Sequence, residues 1–189
     1  MRRLESRLER WKTVETKPWK AAATWREGGG VLFDLGSHLI DQALTLLGPV
    51  TGVHAELDTV RGAADDDAFV SLTHAGGARS HIRVSTTTAD PGPRLRVVGT
   101  DATFVTATGD VQETQLAGGM RPSAPGYGRG DDGRLITADG SRPVPMEPGR
   151  YQDFYGLLAD ALVHGGRLPI DPLDALAVVE LVEGIHRRT

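Results

Sequence analysis

Five short runs between residues 54 and 106 alternate apolar with polar side chains: 54–60, 68–74, 79–86, 94–98 and 103–106. This alternation constrains the fold more than any other feature of the chain. A two-residue period places Val70, Leu72, Ile82, Val84, Leu95 and Val97 on one face. It places Ser71, Thr73, Arg79, His81, Arg83, Arg94 and Arg96 on the other. Turn residues separate the runs: Gly62 with Asp65, Asp66 and Asp67, then Gly76-Gly77, Pro91-Gly92-Pro93 and Gly99 to Asp101. Most gaps are too short for a helical crossover, so neighbouring strands are expected to pair as antiparallel hairpins. The result is a sheet with one buried and one polar face.

The flanking segments supply helices. Over 31–47, Leu32, Leu35, Leu39, Ala43, Leu46 and Leu47 repeat at helical spacing, and Gly48-Pro49 ends the run. Helices are also expected over 150–164, with Phe154, Leu157, Leu158, Ala161 and Leu162 on one side, and over 172–187. Asp171 is the N-cap of the second, ahead of Pro172. The first residues read two ways. Leu4, Ser6 and Leu8 alternate with Glu5, Arg7 and Glu9 as in a strand, yet Leu4, Leu8 and Trp11 also fit a helix. An ordered element so close to Met1 is expected of a chain cut from something longer. Residues 12–27 read as a loop with one helical turn, and 117–148 as an irregular excursion with a hairpin near 134–144. The expected fold class is α+β: a predominantly antiparallel, open-faced β-sheet with helices packed on one face, forming a single domain over 1–189.

The chain has 189 residues, enough for a sizeable core, and 39% of them are hydrophobic. A net charge of −4 without a basic stripe speaks against nucleic acid as a partner. No apolar run is long enough to span a membrane, and no signal-peptide core is visible, so a cytoplasmic location is expected. The absence of cysteine excludes a disulfide scaffold and thiolate metal sites.

Chemistry concentrates in the helix over 31–47, which carries Asp34, His38 and Asp41 at i, i+4 and i+7, on one helical face. Three readings are open from spacing alone. Asp34 caps the helix while His38 sits at the core edge and Asp41 in solvent; or a carboxylate one turn from an imidazole forms an acid/base pair; or all three ligate a metal, with further ligands from elsewhere. A formal G-x-G-x-x-G at 128–133 lacks a preceding strand and a following helix, and Asp131 and Asp132 would repel a pyrophosphate, so it is read as a loop. Trp11, Trp19 and Trp25 could line a sugar-like ligand or belong to the core. His164 and His186 fall at helix C-termini, where a cation suits the dipole.

The stretch WREGGGVLFDLGSHLIDQALTLLGPV resembles the second-domain helix of the glucose-fructose oxidoreductase / inositol dehydrogenase / MocA (Gfo/Idh/MocA) family. LRVVGTDATFV is similar to that family's strand–Gly–strand segment, GDVQETQLAGG with Tyr127-Gly128 to a subgroup, and YQDFYGLLADALVHGGRLPIDPLDALAVVELVEGIHR to its closing helical pair. Ser37 stands where close relatives carry proline. The resemblance implies the substrate-binding and oligomerisation domain of a nicotinamide-dependent oxidoreductase acting on a sugar, polyol or related alcohol, inactive alone. The N-terminal dinucleotide-binding domain, with its glycine-rich loop and Glu-Lys-Pro motif, is missing from the sequence, so NAD or NADP is expected in the full-length protein and no cofactor on this chain alone. The resemblance implies catalytic roles for His38, as acid/base, and Asp34, as its orienting partner. Asp41 becomes structural. Gly29 and Gly30 would let the backbone approach cofactor, and Arg10, Trp11 and Arg7 would line the substrate pocket. No metal is implied. A small-molecule substrate and a homo-oligomer through the open sheet face are the implied partners. A non-enzymatic binding or assembly module of the same fold, and a metal-dependent enzyme using Asp34, His38 and Asp41, are the alternatives.

Overall fold

Eight strands form one sheet in the order β2-β3-β4-β1-β5-β6-β7-β8, in a computed structural model that describes residues 1–12, 14 and 23–189. The strands are β1 (Arg3–Glu9), β2 (Val50–Asp58), β3 (Asp67–His74), β4 (Arg79–Ser85), β5 (Leu95–Val98), β6 (Thr103–Thr106), β7 (Gly133–Thr137) and β8 (Gly140–Val144). Four α-helices accompany them: α1 (Ser37–Leu47), α2 (Gln112–Ala117), α3 (Tyr151–His164) and α4 (Pro172–His186). The architecture is α+β. All pairings are antiparallel except β1 with β4, where Leu4 lies opposite Ser80 and Leu8 opposite Val84.

The first residues form a strand because β1 lies inside the sheet. There the two-residue period buries Leu4 and Ser6 completely, whereas Trp11, which a helical stripe would bury, is 61% exposed. Register follows the alternation expected from sequence: Val70 pairs with Ile82 and Leu72 with Ser80 on the buried face, Phe69 with Arg83 and Ser71 with His81 on the open face. Arg94 departs from that pattern. It lies just before β5, and its Nη1 donates to the hydroxyl of buried Ser6 at 2.8 Å, so its side chain turns toward the Leu4 face. Pro143 is accommodated because β8 is an edge strand.

The core forms where α1 and α4 cover the Leu4 face. Leu32, Leu39, Ile40 and Ala43 meet Val70, Leu72, Ile82 and Val84 from the sheet and Val178, Val182 and Ile185 from α4. Asp171 caps α4 as expected, accepting from the Leu173 N–H at 2.9 Å. His74 ties α1 to the sheet: one ring nitrogen lies 2.8 Å from the Gly48 carbonyl at the helix end, the other 2.9 Å from the Ser80 hydroxyl. His81, on the opposite face of the sheet, packs edge-on against Phe69.

Two expectations are corrected, and one further helix is found. The segment over 31–47 is not one α-helix: its first turn, Leu32–Gly36, is π-helical, and α-geometry begins at Ser37. Gly36 packs there so closely that a Cβ would sit 2.7 Å from a Leu32 methyl and 3.7 Å from Val84. Widened turns of this kind concentrate at functional sites. α2 forms over 112–117, before and into the stretch read as an irregular excursion. The second correction is that α3 does not bury its apolar stripe among the described residues, and Leu157 and Leu162 are 58% and 71% exposed. Periodicity reports that a stripe exists, not that this unit covers it.

Candidate functional site

Where the π-helical turn meets the loop before it, a cavity of ≈390 Å³ opens. Its walls are Arg10 beyond the end of β1, Gly28, Gly29, Gly30 and Asp34 at the helix entry, and Arg61, Asp65, Asp66 and Thr86 from the β2–β3 connection and the end of β4. A second cavity, ≈330 Å³, lies toward the other end of α1 and is lined by Gln42, Arg94, Asp110, Gln112 and neighbours from the segment after β6. Asp34 opens onto the first cavity and Gln42 onto the second. His38 lies between them in sequence, exposed on α1, and lines neither. His38 and Gln42 are i and i+4 within α1 and therefore neighbours on its surface. Asp34 lies in the π-turn, so its relation to His38 is not that of a regular α-helical pair.

The Gly28–Gly30 run has a local cause. A Cβ at Gly30, where φ is +96°, would overlap Asp65 Oδ1, and one at Gly29 would overlap the Ala23 carbonyl. The space at these two positions is thus filled by the chain itself. Gly28, φ +78°, has nothing within 4 Å and leaves its space open. Asp65 fastens the run to the sheet: its Oδ2 accepts from the Leu32 N–H at 2.8 Å and its carbonyl from the Val31 N–H at 2.8 Å. Asp66 orders the neighbouring turn by accepting from the Val60 and Arg61 N–H groups at 2.8 and 2.7 Å.

Behind this wall lies a buried acid–imidazole pair. Asp65 Oδ1 is 3.6 Å from His186 Nε2, too long for a hydrogen bond, and neither atom has another partner. The His186 ring stacks between Trp25 and Phe33, with centroids 5.2 and 5.4 Å away. Burial pushes the Asp65 carboxyl above its ordinary value, against the Leu32 N–H and the His186 charge. Burial lowers His186, against the pull of Asp65. His186 is therefore not the exposed cation expected at a helix C-terminus; the ring is core material. The sign of its linkage follows. A group whose folded pKa is lowered stabilises the fold above its unfolded pKa of 6.5, and that share is lost as pH falls through the folded value. Raised Asp65 works oppositely, losing its share as pH rises above 3.8. Denaturant titrations from about pH 4 to about pH 7.5 check this. The stability of the wild type relative to His186→Phe should grow with pH and level off above 6.5. A difference that shrinks with pH contradicts it.

The structure thus brings Arg10, Gly29, Gly30 and Asp34 to one cavity and leaves other candidates outside it. Arg7 is on the open face of β1, its Nη1 3.7 Å from Glu9, and does not line the cavity; the parity of the strand opposes it to Leu8. Trp11 is also off the wall, with the Arg61 guanidinium over its ring at 5.2 Å. Trp25 packs on His186, and Trp19 lies outside the described residues. Asp41 is exposed on α1, and among the described residues no three His, Asp or Glu side chains converge as metal ligands. The repeat at 128–133 is a turn leading into β7. Sequence reasoning missed Asp65, Asp66, Arg61 and Gln42. The three consecutive aspartates read only as a turn, and no local signal in the sequence brings Asp65 to the Gly28–Gly30 run.

Known proteins are similar to this chain in sequence and fold. Residues 1–105 match the GFO/IDH/MocA C-terminal domain. The chain is 30% identical over 173 residues to the NADP(+)-dependent scyllo-inositol 2-dehydrogenase IolW of Bacillus subtilis, covering 85% of this chain and 48% of that protein. It is 32% identical over 180 residues to the uncharacterized oxidoreductase YdgJ of Escherichia coli, covering 87% and 52%. A Klebsiella pneumoniae crystal structure, provisionally assigned as an oxidoreductase, superimposes with TM-score 0.83 at 29% identity, over 98% of this chain and 51% of that one. The chain spans about half the length of the curated relatives it matches.

Proposed function

The chain belongs to the GFO/IDH/MocA family of oxidoreductases, and from that premise we propose that it is the substrate-binding domain of a nicotinamide-dependent enzyme oxidising a sugar, polyol or related alcohol. The observation that carries this reading is the placement of α1. Asp34, in the π-turn that leads into α1, faces one cavity and Gln42 the other, and an exposed imidazole lies between the two in sequence. Oxidation of an alcohol needs a group to take the hydroxyl proton, and histidine suits that near neutral pH. His38 would accept the proton on a ring nitrogen. Asp34 would orient His38 or hold a substrate hydroxyl. Arg10 and Gln42 would bind further hydroxyls.

The described residues offer no strand–glycine loop–helix cradle for a dinucleotide, so NAD or NADP would be held by a domain outside this sequence. The nicotinamide supplies the hydride acceptor, and that chemistry is the cofactor's own. Gly28, with open space where its side chain would be, is better suited than Gly29 or Gly30 to a close approach from outside.

The open face of the sheet supports an assembly role beside the catalytic one. It carries an Arg3–Glu5–Arg96 ion-pair chain at 2.7 and 2.9 Å and an aromatic–cation group of Phe69, His81 and Arg83, a mixture suited to pairing across a two-fold axis.

Steady-state assay of the full-length enzyme tests the proposal. Inositols and aldoses should drive reduction of NAD or NADP, while this chain alone neither turns over nor binds NADPH in the micromolar range. Light scattering on the same samples should give more than a monomer mass. Micromolar NADPH binding by this chain, or a full-length protein inert toward all polyols with both cofactors, would overturn it.

A further inference from the structure

Arg94 is a half-buried guanidinium on the wall of the second cavity. Its Nη1 is committed to the Ser6 hydroxyl. Among the described residues its Nε and Nη2 make no hydrogen bond and no carboxylate pairs with it. Burial alone, with no acid offsetting it, pulls its pKa down. A partly desolvated cation gains from an anion that answers it. The acids nearby do not answer it. Asp110, on the same wall, is engaged with Gln112 through both its oxygens at 3.0 and 2.9 Å and through the Gln112 N–H at 3.0 Å. Burial would raise the Asp110 carboxyl, but these donors and the Tyr151 hydroxyl hold it below its ordinary value, and Tyr151 is pushed up to about 12 by the same bond. Asp131 and Glu147 line the cavity but are exposed.

The unpaired edge is the one formed by Nε and Nη2, whose two parallel N–H groups match a carboxylate. Gly109 keeps that edge uncovered, since a Cβ there would sit 3.3 Å from Nε. Gln42, one turn beyond His38, stands on the same cavity wall. We propose that the second cavity is a subsite for the carboxylate of an acidic polyol, a sugar acid whose hydroxyls lie toward α1, and that Arg94 grips the carboxylate. This deepens the oxidoreductase reading and rests on it for the role of α1. A phosphate dianion fits less well, because one guanidinium would neutralise half its charge beside Asp131 and Glu147.

Calorimetric or NMR titration of this chain with D-gluconate, myo-inositol and D-glucose 6-phosphate tests it. Wild type should bind D-gluconate at least about tenfold more tightly than myo-inositol, the scale of one charge-assisted bidentate pair. Arg94→Gln should erase that preference. Gly109→Ala, which crowds Nε but keeps the charge and the Ser6 bond, should weaken D-gluconate and leave myo-inositol unchanged; it serves should Arg94→Gln fail to fold. Equal binding of acid and neutral polyol, no binding of D-gluconate, tighter binding of the phosphate ester, or a preference that survives both variants overturns the subsite. Those results beside NAD(P)-linked activity of the full-length enzyme would leave the oxidoreductase reading standing. An inert full-length enzyme with intact Arg94-dependent D-gluconate binding would do the reverse.

Discussion

His38→Asn in the full-length enzyme is expected to lower kcat by at least about a hundredfold while melting temperature and cofactor affinity stay near wild type. The stability half of this expectation comes from exposure. His38 stands on the outer surface of α1 and makes no hydrogen bond among the described residues, so its loss removes no packing and strands no partner. The rate half comes from chemistry, since a positioned acid/base contributes about 10²–10⁴-fold. Asn keeps the size and polarity but cannot take the proton. Asp34→Asn should cost less in rate, unless that carboxylate itself holds substrate. Measuring Tm and kcat on the same His38→Asn protein decides: a near-normal kcat in a stable protein removes His38 from the proton path.

Gly30→Ala is expected to destabilise this domain by roughly 2–5 kcal/mol. About 1–2 kcal/mol comes from placing an L side chain at φ +96°. The rest comes from displacing the buried Asp65 carboxylate from the Leu32 N–H, at about 1–3 kcal/mol for polar groups left unmet. Gly28→Ala is the control. It shares a positive φ, +78°, but meets nothing within 4 Å, so only the conformational share of about 1–2 kcal/mol should appear. Chemical denaturation of the two variants separates the terms. Equal losses would mean that Asp65 yields freely and does not anchor the helix entry. Activity should follow stability here, because Asp34 lies four residues beyond Gly30 and its N–H donates to the Gly30 carbonyl at 3.1 Å.

What the sequence made legible, and what it hid, divides along the range of the interactions. The alternation over 68–74 and 79–86 specified which residues of β3 and β4 would be buried, because a two-residue period is written locally. It also held the information that Arg7 opposes Leu8, although the resemblance drew Arg7 toward the pocket. The acid and histidine of α1 were visible for the same local reason. The π-turn was not, because it depends on Gly36 fitting between Leu32 and Val84, contacts made only in the folded chain. Asp65 was hidden more deeply. Its partners Leu32 and His186 come from distant parts of the chain, and three consecutive aspartates look like any polar turn. The stripe of α3 failed in the opposite sense: its period was correct, but among the described residues the sheet expected to cover it does not.

The position of β1 has a consequence for how the chain reaches its fold. β2, β3 and β4 can zip together from hairpins, and so can β5 with β6 and β7 with β8, while β6 meets β7 across the segment that carries α2. Neither group pairs with the other. Arg3–Glu9 alone joins them, parallel to β4 on one side and antiparallel to β5 on the other. Its contacts have the highest contact order in the sheet, so the seam that unites two locally formed meanders must await the return of residues made long after it, and its loop-closure entropy falls on the last step of assembly. The strand that comes first in this sequence is thus the last to find its place, and until it does the inner edges of β4 and β5 stand open to any other strand.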